Sequence, residues 1–272
     1  MKRVKRALRP FVHRTLSPAT VQSLRFRWWY LSSYFPRLLS SRIVGRSPRV
    51  RHYAAILVPS ITKQLQSLNV VSPTKTCRVM SRFGSDKAKN GYTPLYSALF
   101  KERGDQPLRI LELGLGTNNP DLLSNMGVFG APGASLRGWR QLFPHALVYG
   151  ADIDRGILFE EDRIKTFYCN QLDQSSIREL WSHPELRGGA DIIIEDGLHT
   201  FEANVSFLEG SLNQLRPGGI YVTEDIGCDS FDEWYDRLEK VYSKQYPTYE
   251  FAFVTLSDHA DNNLLVIHRP AA

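Results

Sequence analysis

Four residues in the second half of the chain carry the chemistry: Asp196, His199, Glu224 and Asp225. Two acidic pairs, Glu195-Asp196 and Glu224-Asp225, each close an apolar run, Ala190-Asp-Ile-Ile-Ile and Ile220-Tyr-Val-Thr. Such runs read as buried strands, and neighbouring parallel strands lie about 4.8 Å apart. Loops at their carboxyl ends then bring three carboxylates to one point. Three hard oxygen ligands with room for water suit Mg²⁺ or Mn²⁺ and do not suit zinc. Asp196, Glu224 and Asp225 are the ligands expected. Without a cation such a cluster repels itself and its pKa values rise. His199 follows Asp196 by three residues, in the turn before a helix. An imidazole beside a hydroxyl polarised by a metal can take its proton near neutral pH. His145, His183 and His259 have no acidic company of this kind.

A second set of residues points to a nucleotide-like cofactor. Arg109-Ile-Leu-Glu-Leu-Gly-Leu-Gly116 is a short apolar strand with one acid, Glu112, that runs into Gly114 and Gly116. Glycines there permit a tight turn and a close approach of ligand to backbone. Open α/β sheets bind nucleotides at the carboxyl end of such a first strand. The dinucleotide fingerprint needs a third glycine at 119, and the chain has Asn119, so a nicotinamide cofactor is disfavoured. The next strand, Ala146 to Asp154, ends in acids. A carboxylate has only acceptors and suits a ribose diol. Asp152 is the first choice and Asp154 the second. After a third strand, Ile164 to Cys169, Asp173 either reads an adenine amino group or caps the helix Ser175–Trp181.

These residues need a frame to position them. Ala134 to Phe143, Phe201 to Leu215 and Asp232 to Tyr242 read as helices between the strands, and Leu95 to Glu102 as one before them. Strands alternating with helices predict a parallel sheet. Phe251 to Leu256 and Leu264 to His268 are joined by a short turn, Asp258 to Asn263, and so read as an antiparallel pair. The stretch Thr117 to Gly133 is a long loop, and loops of this length are usually functional. The polar loop Ser85 to Pro94 precedes the first core strand, where Asp86, Lys87, Tyr92 and Thr93 are placed to fold over the cofactor or to cap a helix.

Charge divides the chain of 272 residues. Residues 1–85 hold 17 Lys and Arg and no acid, whereas residues 86–272 hold the other 17 basic residues and all 28 acids. The two parts carry +17 and −11, which sum to the net +6. We expect a basic, aromatic-rich extension over 1–75 and a catalytic domain over 76–272. Within residues 1–51, Arg alternates with Phe, Trp, Tyr and Leu, as in Arg25-Phe-Arg-Trp-Trp-Tyr30. Trp and Tyr favour the water–lipid interface and Arg pairs with anionic headgroups, so the arm fits peripheral contact with a membrane. Packing on its own domain or on a second subunit is the equal alternative, and a nucleic acid partner ranks below both. No uncharged apolar run spans a bilayer and the N-terminus lacks the apolar core of a secretory signal. A mitochondrial transit segment, basic and acid-free, ranks behind. Cys77, Cys169 and Cys228 are isolated and have no metal spacing, as in a reducing compartment. A cytoplasmic protein, at most peripheral on the inner membrane face, is the expectation.

The motif Glu112-Leu-Gly-Leu-Gly116 resembles the first motif of class I S-adenosylmethionine (SAM) methyltransferases. Asp196-Gly-Leu-His199 with Glu224-Asp225, preceded by Ser85-Asp-Lys and Gly91-Tyr-Thr-Pro94, narrows the likeness. It resembles the metal-dependent sugar O-methyltransferases of the macrocin and mycinamicin type, with the cephalosporin-pathway methyltransferase as a relative, over residues 80–268. The resemblance implies a Rossmann-like α/β fold with a mostly parallel seven-stranded sheet and a C-terminal antiparallel hairpin. It implies SAM bound by Glu112, Gly114, Gly116, Asp152 and Asp173. It implies Mg²⁺ or Mn²⁺ on Asp196, Glu224 and Asp225, with His199 as base toward a sugar hydroxyl. The acceptor expected is a glycolipid, a polysaccharide or a glycosylated natural product, with catechol-like diols as the alternative. Where many relatives have Asp-Asp-Gly-Ser-His, this chain has Glu195-Asp-Gly-Leu-His199. A non-catalytic binding protein on a degenerate methyltransferase domain is the competing function, and the intact acidic clusters argue against it.

Overall fold

The structure, a computed structural model, describes residues 74–254 and 262–271. The basic arm of residues 1–51 and most of the turn 258–263 lie outside the described residues.

Five residues, Arg109–Leu113, form β1 at the centre of the sheet. Side chains alternate across a strand. Ile110 therefore faces one apolar layer and Leu111 the other, and both are fully buried. A strand covered on both faces has no polar side, which explains its nearly unbroken apolar sequence. β2 (Leu147–Asp152), β4 (Ile164–Tyr168), β5 (Ala190–Glu195) and β6 (Leu215–Ile226) extend the parallel sheet. β7 (Glu250–Val254) and β8 (Asn263–His268) add the antiparallel pair, with β8 next to β6. A two-residue strand β3 (Glu160–Glu161) runs antiparallel to β4. The order is β3-β4-β2-β1-β5-β6-β8-β7, an eight-stranded sheet where seven strands were expected.

Helices cover both faces. α1 (Lys75–Phe83), α2 (Tyr92–Leu99) and α3 (Ala134–Leu142) bury Met80, Tyr96 and Trp139 against Ile110, Ile192 and Val222. α4 (Gln174–Ser182), α5 (Phe201–Ser211) and α6 (Phe231–Arg237) bury Leu180, Phe207 and Trp234 against Leu111, Ile193 and Tyr221. Thr74 caps α1 and Thr200 caps α5 through their side-chain oxygens.

Three boundaries differ from the sequence reading. α2 begins at Tyr92 and not at Leu95, because Pro94 lies in the first turn, where its missing N–H needs no partner. α5 stops at Ser211, and Arg216-Pro-Gly-Gly219 sits inside β6, beside a register shift against Ala190 and Ile192 of β5. α1 had no counterpart in the sequence reading. Its nine residues are short and its amphipathic stripe sits next to the charged start of the chain.

Among the described residues no helix is long and apolar enough to cross a membrane.

Candidate active site

The carboxyl ends of β1, β2, β4, β5 and β6 open on one cleft of about 960 Å³. Gly114, Gly116 and Asp152 line one part of it, and Asp196, His199 and Asp225 another. This is where open parallel sheets place their ligands.

Both glycines have left-handed backbone, with φ of 92° at Gly114 and 78° at Gly116. A Cβ on Gly114 would stand 1.8 Å from the carbonyl oxygen of Asp196, and one on Gly116 would stand 2.1 Å from Met126 Sδ. The glycines thus let the β1 turn lie against the β5 turn and the long loop. Asp152 gives one oxygen to that turn and the other to its own. Oδ2 accepts from the Leu115 N–H at 2.7 Å and Oδ1 from the Asp154 N–H at 2.8 Å. Burial pushes its carboxyl above the usual range, against the pull of these N–H groups. Asp154 closes the same corner, accepting from Gly156 N–H and from the Thr117 hydroxyl.

Two residues expected at the cofactor lie elsewhere. Glu112 does not line the cleft. Its side chain is fully buried beneath it, where Oε1 accepts from Ser135 at 2.6 Å and Oε2 from the Trp139 indole. The alternation of β1 turns it toward α3. Asp173 is exposed and caps α4, accepting from the Ser175 N–H at 2.8 Å, so its alternative reading as an N-cap is the one the geometry shows. Gln171, which the sequence reading did not single out, lines the cleft instead. Its Oε1 accepts from Leu198 N–H at 2.8 Å and its amide donates to Glu195 at 3.0 Å, which pins the turn carrying Asp196 and His199. No local sequence signal distinguished this glutamine.

At the other end of the cleft, Asp196, His199 and Asp225 each offer a ligand atom, and these atoms lie within 4.8 Å of one another. His199 Nε2 is 3.9 Å from Asp196 Oδ1 and 3.9 Å from Asp225 Oδ2. His199 and Asp225 hold φ of 57° and 52°, a left-handed conformation uncommon outside glycine and a mark of functional strain. Glu224 sits deeper, 1% exposed, and outside this group. Its Oε2 accepts from Lys87 Nζ at 2.7 Å and its Oε1 from the Tyr96 hydroxyl. Each oxygen keeps a second lone pair, so a hydrogen-bonded Glu224 can still turn toward a cation. Lys87 also reaches Asp196 Oδ2 at 2.7 Å and Glu112 Oε1 at 3.4 Å. The Tyr92 hydroxyl donates to Asp225. The sequence offers Lys87 and Tyr92 as a cover for the cofactor or as a helix cap; their side chains go to the acids, and Tyr96, one helical turn beyond Tyr92, joins them.

The acids respond to this setting. Burial raises the carboxyls of Glu224 and Asp225, helped by repulsion from Asp196. Burial also works against Asp196, yet Lys87 and then His199 outweigh it and hold that carboxyl below its usual range. Clustered oxygens of this kind fit a hard divalent cation: Asp196 Oδ1 and Asp225 Oδ2 each stand 3.9 Å from His199 Nε2, and Lys87 links Glu224 to Asp196. The imidazole nitrogen is the poorest ligand for such a cation and the best proton acceptor of the group.

The sheet order, the glycine turn at β1 and the acid ending β2 define a class I methyltransferase fold. The solved structures agree: a methyltransferase of the mycinamycin biosynthetic pathway in complex with Mg and SAH superposes with a TM-score of 0.55 at 23% identity, covering 73% of this chain and 55% of that one. A second structure of it, with Mg, SAH and mycinamycin VI, gives 0.54 at 22%. In sequence, the homologues are sugar O-methyltransferases. The chain is 31% identical over 180 residues to the 8-demethyl-8-alpha-L-rhamnosyl tetracenomycin-C 2'-O-methyltransferase of Streptomyces olivaceus, covering 66% of this chain and 45% of that protein. It is 35% identical over 136 residues to the demethylmacrocin O-methyltransferase of Streptomyces fradiae, covering 50% and 31%. The chain thus spans less than half the length of these relatives. No protein-family model matches it.

Proposed function

We propose that the protein transfers the methyl group of SAM to a sugar hydroxyl, with Mg²⁺ or Mn²⁺ held at the acidic cluster. The observation that carries this is the position of His199 Nε2, equidistant from Asp196 and Asp225 at the end of a cleft that begins at Gly114 and Asp152. A cation held there polarises the acceptor hydroxyl, and SAM supplies an electrophilic methyl on a sulfonium. The residues do the rest. Asp152 fixes the glycine turn under the cofactor, and Ile153 and Leu172 present half-exposed apolar side chains at the same cleft for an adenine to lie against. Asp196 and Asp225 hold their open oxygens toward the acceptor side. His199 Nε2 takes the hydroxyl proton. The oxygen bonds to the methyl carbon as the carbon–sulfur bond breaks, and sulfur keeps the electron pair. Alignment of the three atoms supplies much of the rate.

The names of the relatives support a glycosylated natural product as acceptor, ahead of a glycolipid or polysaccharide. The test is methyl transfer from labelled SAM to a panel of rhamnosides, other glycosides and catechols, with Mg²⁺ or with chelator. Transfer to glycosides that stops with chelator supports the reading; transfer to catechols alone contradicts the acceptor class.

For residues 1–51 we keep the proposal of a peripheral membrane contact, supported by their alternating Arg and aromatic residues. Flotation with anionic vesicles should be lost when these residues are deleted; unchanged flotation rejects it.

A further inference from the structure

We propose that Lys87 is the resident counter-ion of the metal site, a positioning residue that holds the acids together and sets how tightly a divalent cation binds. The inference rests on the divalent-metal reading given above. Lys87 is 1% exposed, and its ammonium lies 2.7 Å from Asp196 Oδ2, 2.7 Å from Glu224 Oε2 and 3.4 Å from Glu112 Oε1. Two N–H donors bond to Asp196 and Glu224, and Glu112 completes the ring of carboxylates as an ion pair. Buried acids so close together repel one another, and a buried charge left without a partner costs several kcal/mol. The lysine offsets this from inside the protein.

Its contact with Asp196 is also directional. Lys87 occupies Oδ2 and leaves Oδ1 toward His199 and the open space of the site. With Lys87 in place, one oxygen of Asp196 is fixed as strut and the other as ligand. The backbone of Lys87 is fixed in turn. It stands in a short 3-10 turn, Asp86–Ala88, between α1, which ends at Gly84 with φ of 84°, and α2, which starts after Gly91. Met80 of α1 and Tyr92 and Tyr96 of α2 are fully buried, so both sides of the turn are anchored. The same segment supplies Tyr92 to Asp225 and Tyr96 to Glu224. Each of the three acids expected to hold the cation thus has at least one outer donor from residues 85–96, and Glu224 has two.

Fully ionised, Glu112, Asp196, Glu224 and Asp225 carry −4, and Lys87 reduces this to −3. A neutral side chain in its place leaves the acids short of one positive charge, which a divalent cation then supplies. The experiment compares wild type with Lys87→Met and Lys87→Arg. Manganese binding is read by electron paramagnetic resonance, and the thermal midpoint is measured in chelator and in saturating Mn²⁺. Lys87→Met should lose several degrees in chelator, recover most of the loss in Mn²⁺, and bind Mn²⁺ about tenfold or more tighter. Lys87→Arg should bind Mn²⁺ as wild type does. If Lys87→Met does not fold, Lys87→Gln keeps a donor without the charge and serves in its place. Unchanged or weaker Mn²⁺ binding by the neutral variant, or the same thermal deficit with and without Mn²⁺, overturns the proposal. Absence of Mn²⁺ binding by wild type overturns the metal reading itself, a different result.

Discussion

His199 Nε2 and Asp225 Oδ2 stand 3.9 Å apart, although His199 follows β5 and Asp225 sits at an irregularity near the end of β6, and both residues hold left-handed backbone. That separation is too long for a hydrogen bond. The His199 Nδ1 has no hydrogen-bond partner among the described residues, so the strained turn, and not a second carboxylate, aims the ring.

Replacing His199 therefore tests a chemical role. His199→Ala should lower kcat by about 10²–10⁴-fold, as expected for loss of a general base. Calorimetric SAM affinity should stay within a few fold of wild type, since the role assigned to the ring is proton transfer at the acceptor hydroxyl. A loss of SAM affinity equal to the loss of rate would place His199 in the cofactor site instead.

Asp196→Asn and Asp225→Asn should each weaken Mn²⁺ binding by at least about tenfold, because each removes a charged oxygen facing the common space. Binding that survives both substitutions would move the cation elsewhere.

Gly114→Ala should be among the most damaging single changes. Its Cβ would meet the Asp196 carbonyl at 1.8 Å, and the backbone there has φ of 92°. The two turns must separate, so the thermal midpoint falls and SAM binding and Mn²⁺ binding should weaken together. A variant of normal midpoint and affinity would show that the β1 turn does not brace the β5 turn.

Glu195 gives a pH prediction. It is fully buried, and burial pushes its carboxyl from an ordinary 4.5 up to about 7. The folded protein then holds the proton more tightly than the unfolded chain. Glu195 is harmless at low pH, and its contribution to stability is lost as pH rises from 4.5 through about 7. The loss amounts to roughly 3 kcal/mol. Glu195→Gln escapes it, so in chelator the variant should gain thermal midpoint over wild type on going from pH 5 to pH 8, both values being about that. A difference independent of pH would contradict the buried, raised carboxyl.

Much of this was legible in the residues. Apolar runs ending in Glu195-Asp196 and Glu224-Asp225 placed two strand ends, and the glycines after Leu113 placed a third. These signals are local. What escaped depended on where a side chain turns: Glu112 faces α3 because of its parity in β1. Lys87 reads in sequence as part of a loop that folds over the cofactor or caps a helix. Only the packing of α1 and α2 carries it 109 positions along the chain to Asp196. Gln171 likewise acts through a contact across strands that no spacing predicts.

The central claim is that this cleft binds SAM beside a divalent cation. Calorimetric titration of the purified protein with SAM, with NAD as control and with Mg²⁺ present or chelated, tests it most directly. The account predicts saturable SAM binding, none with NAD, and in a parallel titration of Mg²⁺ a site that Asp225→Asn removes. Silence toward SAM under both metal conditions would contradict the account and leave a binding protein on a methyltransferase fold.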